Sequence, residues 1–214
     1  MRWLLIACGL LFLNSSPLAL AHPHVWTDIT VEILFDDAKR ITGLRQTWLF
    51  DDFYTAFAVE GIDTDGDGNP DQNKLNEILQ VNMKNLKEYN YFTRVWLKDT
   101  PLKLKPVTNM ATQMKGNRLE MTFITSLDAS VPLPSSGFSY SIFDPTYYIE
   151  MLHTNTEKPV RLTGAPNGCT YTLSPPNPDP SEVAQASLLD SSMRGETGLS
   201  IFFAERVSLT CPIE

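Results

Sequence analysis

The sequence predicts an α+β fold: a mainly antiparallel β scaffold with an EF-hand-like helix–loop–helix inserted at 51–90. Three observations carry this. Residues 24–35, HVWTDITVEILF, alternate apolar and polar side chains, the period of a half-buried strand. Residues 63–71, DTDGDGNPD, set carboxylates at every second position around glycines, between two segments of helical pattern. The later chain breaks into short β-rich runs separated by turn residues.

The first residues carry one positive charge, Arg2, then an apolar run over 3–13, then Ala19 and Ala21 in the A-x-A arrangement of a secretory signal peptide. Cleavage is expected after Ala21. That makes 1–21 a signal peptide and 22–214 a single periplasmic domain. The apolar run is too short to cross a bilayer, which takes about 20 residues, so the mature chain is not expected to span the membrane. Cys8 follows Leu5-Ile6-Ala7, which also fits a lipid-attachment site. A cut there would leave an apolar core of only a few residues.

In the first strand, Val25, Thr27, Ile29, Val31, Ile33 and Phe35 share one face. His24, Trp26, Asp28, Thr30 and Glu32 share the other. DDAKR forms a turn into a second strand at 41–50, so the two make a hairpin. Asp51 or Asp52 caps a short helix through 53–60 that Gly61 ends. A helix over 72–89 follows the aspartate loop, with Leu75, Ile78, Leu79, Leu86 and Tyr89 at helical spacing. Strands are then expected within 91–98, 101–113, 118–127, 137–143, 158–164 and 169–174. After the proline-rich stretch 174–182, Ser181 caps a short helix over 182–191, and a last strand runs through 199–210.

With the signal removed, Cys169 and Cys211 remain as an even pair, which an exported protein can bridge. A thiolate metal pair is the rival, but there is no CxxC spacing and no nearby histidine. The chain is 43% hydrophobic and 20% charged, with a net charge of −8. That balance, with no basic cluster, argues against nucleic acid. It is compatible with cations as ligands.

The aspartate loop is the most specific chemistry in the sequence. Asp63, Asp65 and Asp67 fall at positions 1, 3 and 5 of a Ca²⁺ loop, with Gly68 at the sharp turn. Asn69 would offer its carbonyl and Asp71 a carboxylate or a water bridge. Position 12 departs: Lys74 stands where an EF-hand has a bidentate glutamate, and Glu77 comes three residues late. The expected role of Ca²⁺ is structural, because packed aspartates repel unless a cation neutralises them. The competing reading is a polar turn in which Asp71 caps the following helix.

The histidines give a second candidate. Cleavage after Ala21 would free an α-amine on His22, which with its Nδ1 can chelate a metal. His24 adds another imidazole, and Zn²⁺, Ni²⁺, Co²⁺ or Cu²⁺ would suit such nitrogens. Pro23 has no backbone N–H, so a copper motif built on deprotonated amides cannot form. A distant third imidazole, His153, is the expected partner, with Asp144 or Glu150 as carboxylates. Asp28 sits about 13 Å along the strand from His24, too far to ligate beside it. DPTYY at 144–148 reads as a ligand-facing turn or, more simply, a structural proline turn. There is no Ser/His/Asp spacing, phosphate loop or redox CxxC, so an enzyme is not expected.

Several segments together resemble an uncharacterised bacterial family. They are HPHVW after the signal, W-x-FDD-x-Y (Trp48, Phe50, Asp51, Asp52, Tyr54), the D-x-DGDG loop, YFT at 91–93, FDPTYY at 143–148 and the late cysteine pair. Members are labelled periplasmic components of an ABC-type transport system and are often encoded beside transporters of the nickel/cobalt-exporter type. The resemblance implies a periplasmic accessory or binding protein of a transition-metal transport system, with an inner-membrane metal transporter as partner. Two other readings stand beside it. One is a calcium-ordered envelope interaction module without transition metal. The other is a histidine-brace copper oxidoreductase, which needs a third imidazole facing His22.

Overall fold

The computed structural model describes residues 24–133, 137–187 and 198–212. The expected signal segment, His22 and the end of the expected late helix lie outside them.

β1 (Val25–Phe35) and β2 (Ile41–Phe50) form the expected antiparallel hairpin. The Asp36 carboxylate closes its turn by accepting the Arg40 amide at 2.9 Å and the Arg40 guanidinium at 2.8 Å. Asp51 then caps α1 (Asp52–Ala58), accepting the Tyr54 amide at 2.8 Å. The other oxygen of Asp51 accepts the Trp26 amide at 2.8 Å, which ties the helix to β1. α2 (Gln72–Leu86) buries Leu75, Leu79 and Met83, one stripe at i, i+4, i+8. It stops short of Tyr89. The chain tightens into a 3₁₀ turn over Lys87–Phe92, where Asn90 and Tyr91 take φ of 52° and 53°. That twist turns Tyr91 and Phe92 into the core, where both are buried.

The remaining elements are β3 (Thr93–Leu97), β4 (Thr100–Pro101), β5 (Thr108–Lys115), β6 (Arg118–Val131), β7 (Phe138–Ile142), β8 (Ile149–His153), β9 (Val160–Thr163), β10 (Thr170–Ser174), α3 (Pro180–Ser187) and β11 (Arg206–Thr210). They make two sheets. One runs β5-β6-β2-β1-β8, with β9 also on β1; the other runs β10-β11-β7-β3-β4. The fold is α+β and mostly β, as expected, but not purely antiparallel. β8 and β9 both pair with β1 in parallel. β8 itself is a strand that the sequence pattern did not announce. Its inward positions are Ile149, Met151 and His153, and the polar third position masks the alternation.

One core fills the space between the sheets and under α2. Trp48 lies at its centre, its ring stacked on Phe92 and edge-on to Phe123. Gln46 is fully buried, and its amide is used completely. It donates to Thr93 at 2.9 Å and Thr125 at 3.0 Å and accepts from the Trp48 indole at 3.1 Å. Gly43 is required where β2 and β6 close up, since a Cβ there would meet the Thr125 carbonyl at 2.5 Å. At the far end, Asp179 rather than Ser181 caps α3. Its carboxylate accepts the Ser181 and Glu182 amides, while Glu182 accepts the Asp179 amide at 2.7 Å, a reciprocal capping box. The last segment begins as a 3₁₀ turn, Leu199–Phe203, and becomes a strand only at Arg206. Cys169 and Cys211 form a disulfide, joining the start of β10 to the end of β11.

Candidate metal centres

The aspartate loop sits between α1 and α2, but not as a complete EF-hand. α1 ends at Ala58, so the entering helix stops well before Asp63. Asp63, Asp65 and Asp67 each bring an oxygen to one point, with these atoms within 4.8 Å of one another and all three residues exposed. The loop is shaped by its own amides. Asp63 accepts Gly66 and Gly68 at 2.8 and 3.0 Å, Asp65 accepts Asp67 at 3.2 Å, and Asp67 accepts Asn69 at 2.7 Å. Gly68, at φ 89°, supplies the left-handed turn.

Asp71 does something else. It occupies the position before α2, yet its side chain makes no capping bond. Its carboxylate instead accepts the amide and hydroxyl of Thr64, pinning the two ends of the loop together. Lys74 turns to Glu77 at 3.0 Å, so the position expected to hold a carboxylate carries an ion pair outside the cluster. Three hard carboxylates converge, and the oxygen donor set fits Ca²⁺. Calcium is therefore expected to raise the melting temperature. At a hundred times its Kd the ion would add about 2.7 kcal/mol, roughly 5–10 °C for a chain of this length. Thermal unfolding in CaCl₂ and in EDTA, for the wild type and for an Asp63→Ala, Asp65→Ala double variant, measures it. An equal calcium response in both proteins would remove the loop as the site.

The histidines separate. His24 is exposed at the start of β1, its ring 5.1 Å from that of Tyr148 and its amide bonded to the Tyr148 carbonyl at 2.9 Å. His153 faces the other way. Its side chain is 1% exposed, and it lies five residues further along the β8 register, about 16 Å. His153 is thus not offered to a site at His24, a correction to the expected trio. Glu150 remains available, since it is exposed on the same outer face as His24, one step along. Asp144 does not. Buried, it accepts the amides of Thr146, Tyr148 and Ile149 and the Thr146 hydroxyl. The DPTYY segment is a structural turn, and Asp144 is its hub. Asp28 pairs with Arg118 at 2.7 Å.

His153 has partners that the sequence reading did not find. Its Nδ1 lies 2.8 Å from Glu205, and its backbone amide donates to the same oxygen at 2.6 Å. A carboxylate can only accept, so Nδ1 carries the proton and Nε2 faces the Tyr140 hydroxyl at 3.0 Å. Burial pushes the Glu205 carboxyl up, but the hydrogen bonds and charge of His153 outweigh it and hold the carboxyl below its ordinary range. Burial holds the Tyr140 hydroxyl well above the usual phenol range, so it stays protonated. The three residues come from β8, from β7 and from the residue before β11, so they bolt the two sheets together. The one signal in the sequence is Glu205 directly after the apolar Phe202-Phe203-Ala204.

Residues 7–211 match a family described as a protein of unknown function, DUF1007. The chain belongs to the DUF1007 family. This DUF1007 chain is also similar to an uncharacterized protein of Haemophilus influenzae, 26% identical over 195 residues that cover 90% of this chain and 92% of that one. Among the described residues no helix is long and apolar enough to cross a membrane. The disulfide points to an oxidising compartment.

Proposed function

We propose that this protein is an exported, non-enzymatic accessory of a divalent transition-metal transport system. It presents the metal on its N-terminal histidines to an inner-membrane transporter and uses the aspartate loop for structural calcium. The observation that carries the reading is the placement of His24. It stands exposed at the start of β1, two residues along the chain from His22, with Glu150 on the same face. The α-amine and imidazole expected at His22 would join the His24 imidazole and the Glu150 carboxylate in a donor set at the surface. Such a set suits hand-over better than storage, because few ligands must be exchanged to release the ion. A net charge of −8 raises the local cation concentration.

The copper-brace reading loses support, because both ring nitrogens of His153 are engaged in the core. The interaction-module reading draws on a separate observation: Phe53 and Phe57 stand 81% and 74% exposed on α1, the helix leading into the aspartate loop. Calorimetric titration of the processed protein separates the two. The delivery reading expects Zn²⁺ or Ni²⁺ binding that falls at least tenfold when His22 and His24 are both alanine. Identical titrations of wild type and double variant would overturn it and leave the calcium-ordered module.

A further inference from the structure

Three segments that singled this sequence out converge on one cavity, and the metal reading uses none of them there. Trp48, Phe50 and Tyr54 come from W-x-FDD-x-Y, Phe92 from YFT, and Ile149 follows FDPTYY. With Met121 of β6 and Asn82, Asn85 and Leu86 of α2 they line a half-open cavity of about 140 Å³. It lies where the inserted helices meet the first sheet. The aspartates of the same segments hold its walls. Asp51 fixes the Trp26 and Tyr54 amides, and Asp144 fixes those of Tyr148 and Ile149.

We infer that this cavity is a binding site for an uncharged, single-ring aromatic compound bearing one hydrogen-bonding group. Size sets the first limit. A cavity of about 150 Å³ lined by apolar side chains takes up benzene, and this one has nearly that volume. Lining sets the second. Five of the nine residues, Phe50, Leu86, Phe92, Met121 and Ile149, offer no N–H or O–H, and Trp48 already spends its indole N–H on Gln46. No charged side chain lines the cavity, so a charged ligand would lose its hydration without a counter-ion. The polar atoms gather on one side. Asn82 binds the Tyr54 hydroxyl, and Asn85 stands exposed on the same face of α2, one turn along. A ring therefore enters against Trp48, Phe50 and Phe92, with its substituent turned to the asparagines.

This site is independent of the metal reading, and its test uses no metal. Phenol is titrated into the processed protein while the Trp48 indole N–H is followed by NMR, with benzoate as the charged counterpart. The expected result is a saturable shift with phenol and at least tenfold weaker binding of benzoate. Asn85→Trp, which places a large ring over the mouth from an exposed helix position, should weaken phenol at least tenfold without lowering the melting temperature. Ile149→Phe, filling the cavity from the opposite wall, should do the same and stands in if the first variant does not fold. No saturable shift with phenol, equal binding of benzoate, or undiminished binding in the folded variants would each overturn the assignment.

Discussion

Replacing His153 with alanine is expected to destabilise the protein by about 3 kcal/mol, lowering the melting temperature by roughly 6–12 °C. The variant strips a buried tyrosine hydroxyl and a half-buried carboxylate of their shared partner and opens a hole between the sheets. Glu205→Gln is the informative companion, because it keeps the shape and removes the charge. Its effect must depend on pH. The folded-state pKa of Glu205 lies below its ordinary value of 4.5, so the ionised form stabilises the fold. That contribution is complete above the unfolded value and disappears as pH falls through the lower folded value. Wild type and Glu205→Gln should therefore differ most near pH 7 and converge below pH 4.5. Urea melts across that range measure it, and a constant difference would show that the Glu205 charge does not bear on the fold.

Reduction of the disulfide is expected to cost about as much. Cys169 and Cys211 are separated by 42 residues, and closing a loop of that length removes roughly 4 kcal/mol of unfolded-chain entropy. A Cys169→Ser, Cys211→Ser double variant should melt roughly 8–16 °C lower. The loss falls on β10, since among the described residues that edge strand has β11 as its one sheet neighbour. Hydrogen exchange at 170–174 should rise more than at β2. A uniform rise along the chain would mean that the bridge restrains the unfolded state without protecting the edge.

The hairpin, the helical insertion and the order of most strands were legible, because each rests on local periodicity. Positions 25 to 31 alternate buried and more exposed side chains, and Leu75 and Leu79, two of the residues at helical spacing, are buried on α2. What escaped depends on partners far away in sequence. β8 carries a histidine at an inward position, and Glu205, 52 residues on, together with Tyr140, 13 residues back, makes that tolerable. The same pairing hid the nature of His153: a histidine short of visible partners reads as a ligand, while one with two buried partners is part of the core. The aspartate loop was legible as chemistry, but Asp71 turned to Thr64 rather than to the helix it precedes. No spacing rule distinguishes those two targets.

β1 is the first strand among the described residues, and it lies inside its sheet rather than at the edge. β2 covers one side at once, but the other waits for residues 149–163. Until more than a hundred further residues have been made, the first strand keeps an open flank and the sheet cannot be completed. Pairing this distant in sequence is slow to form, so the first strand gains its second neighbour late in folding.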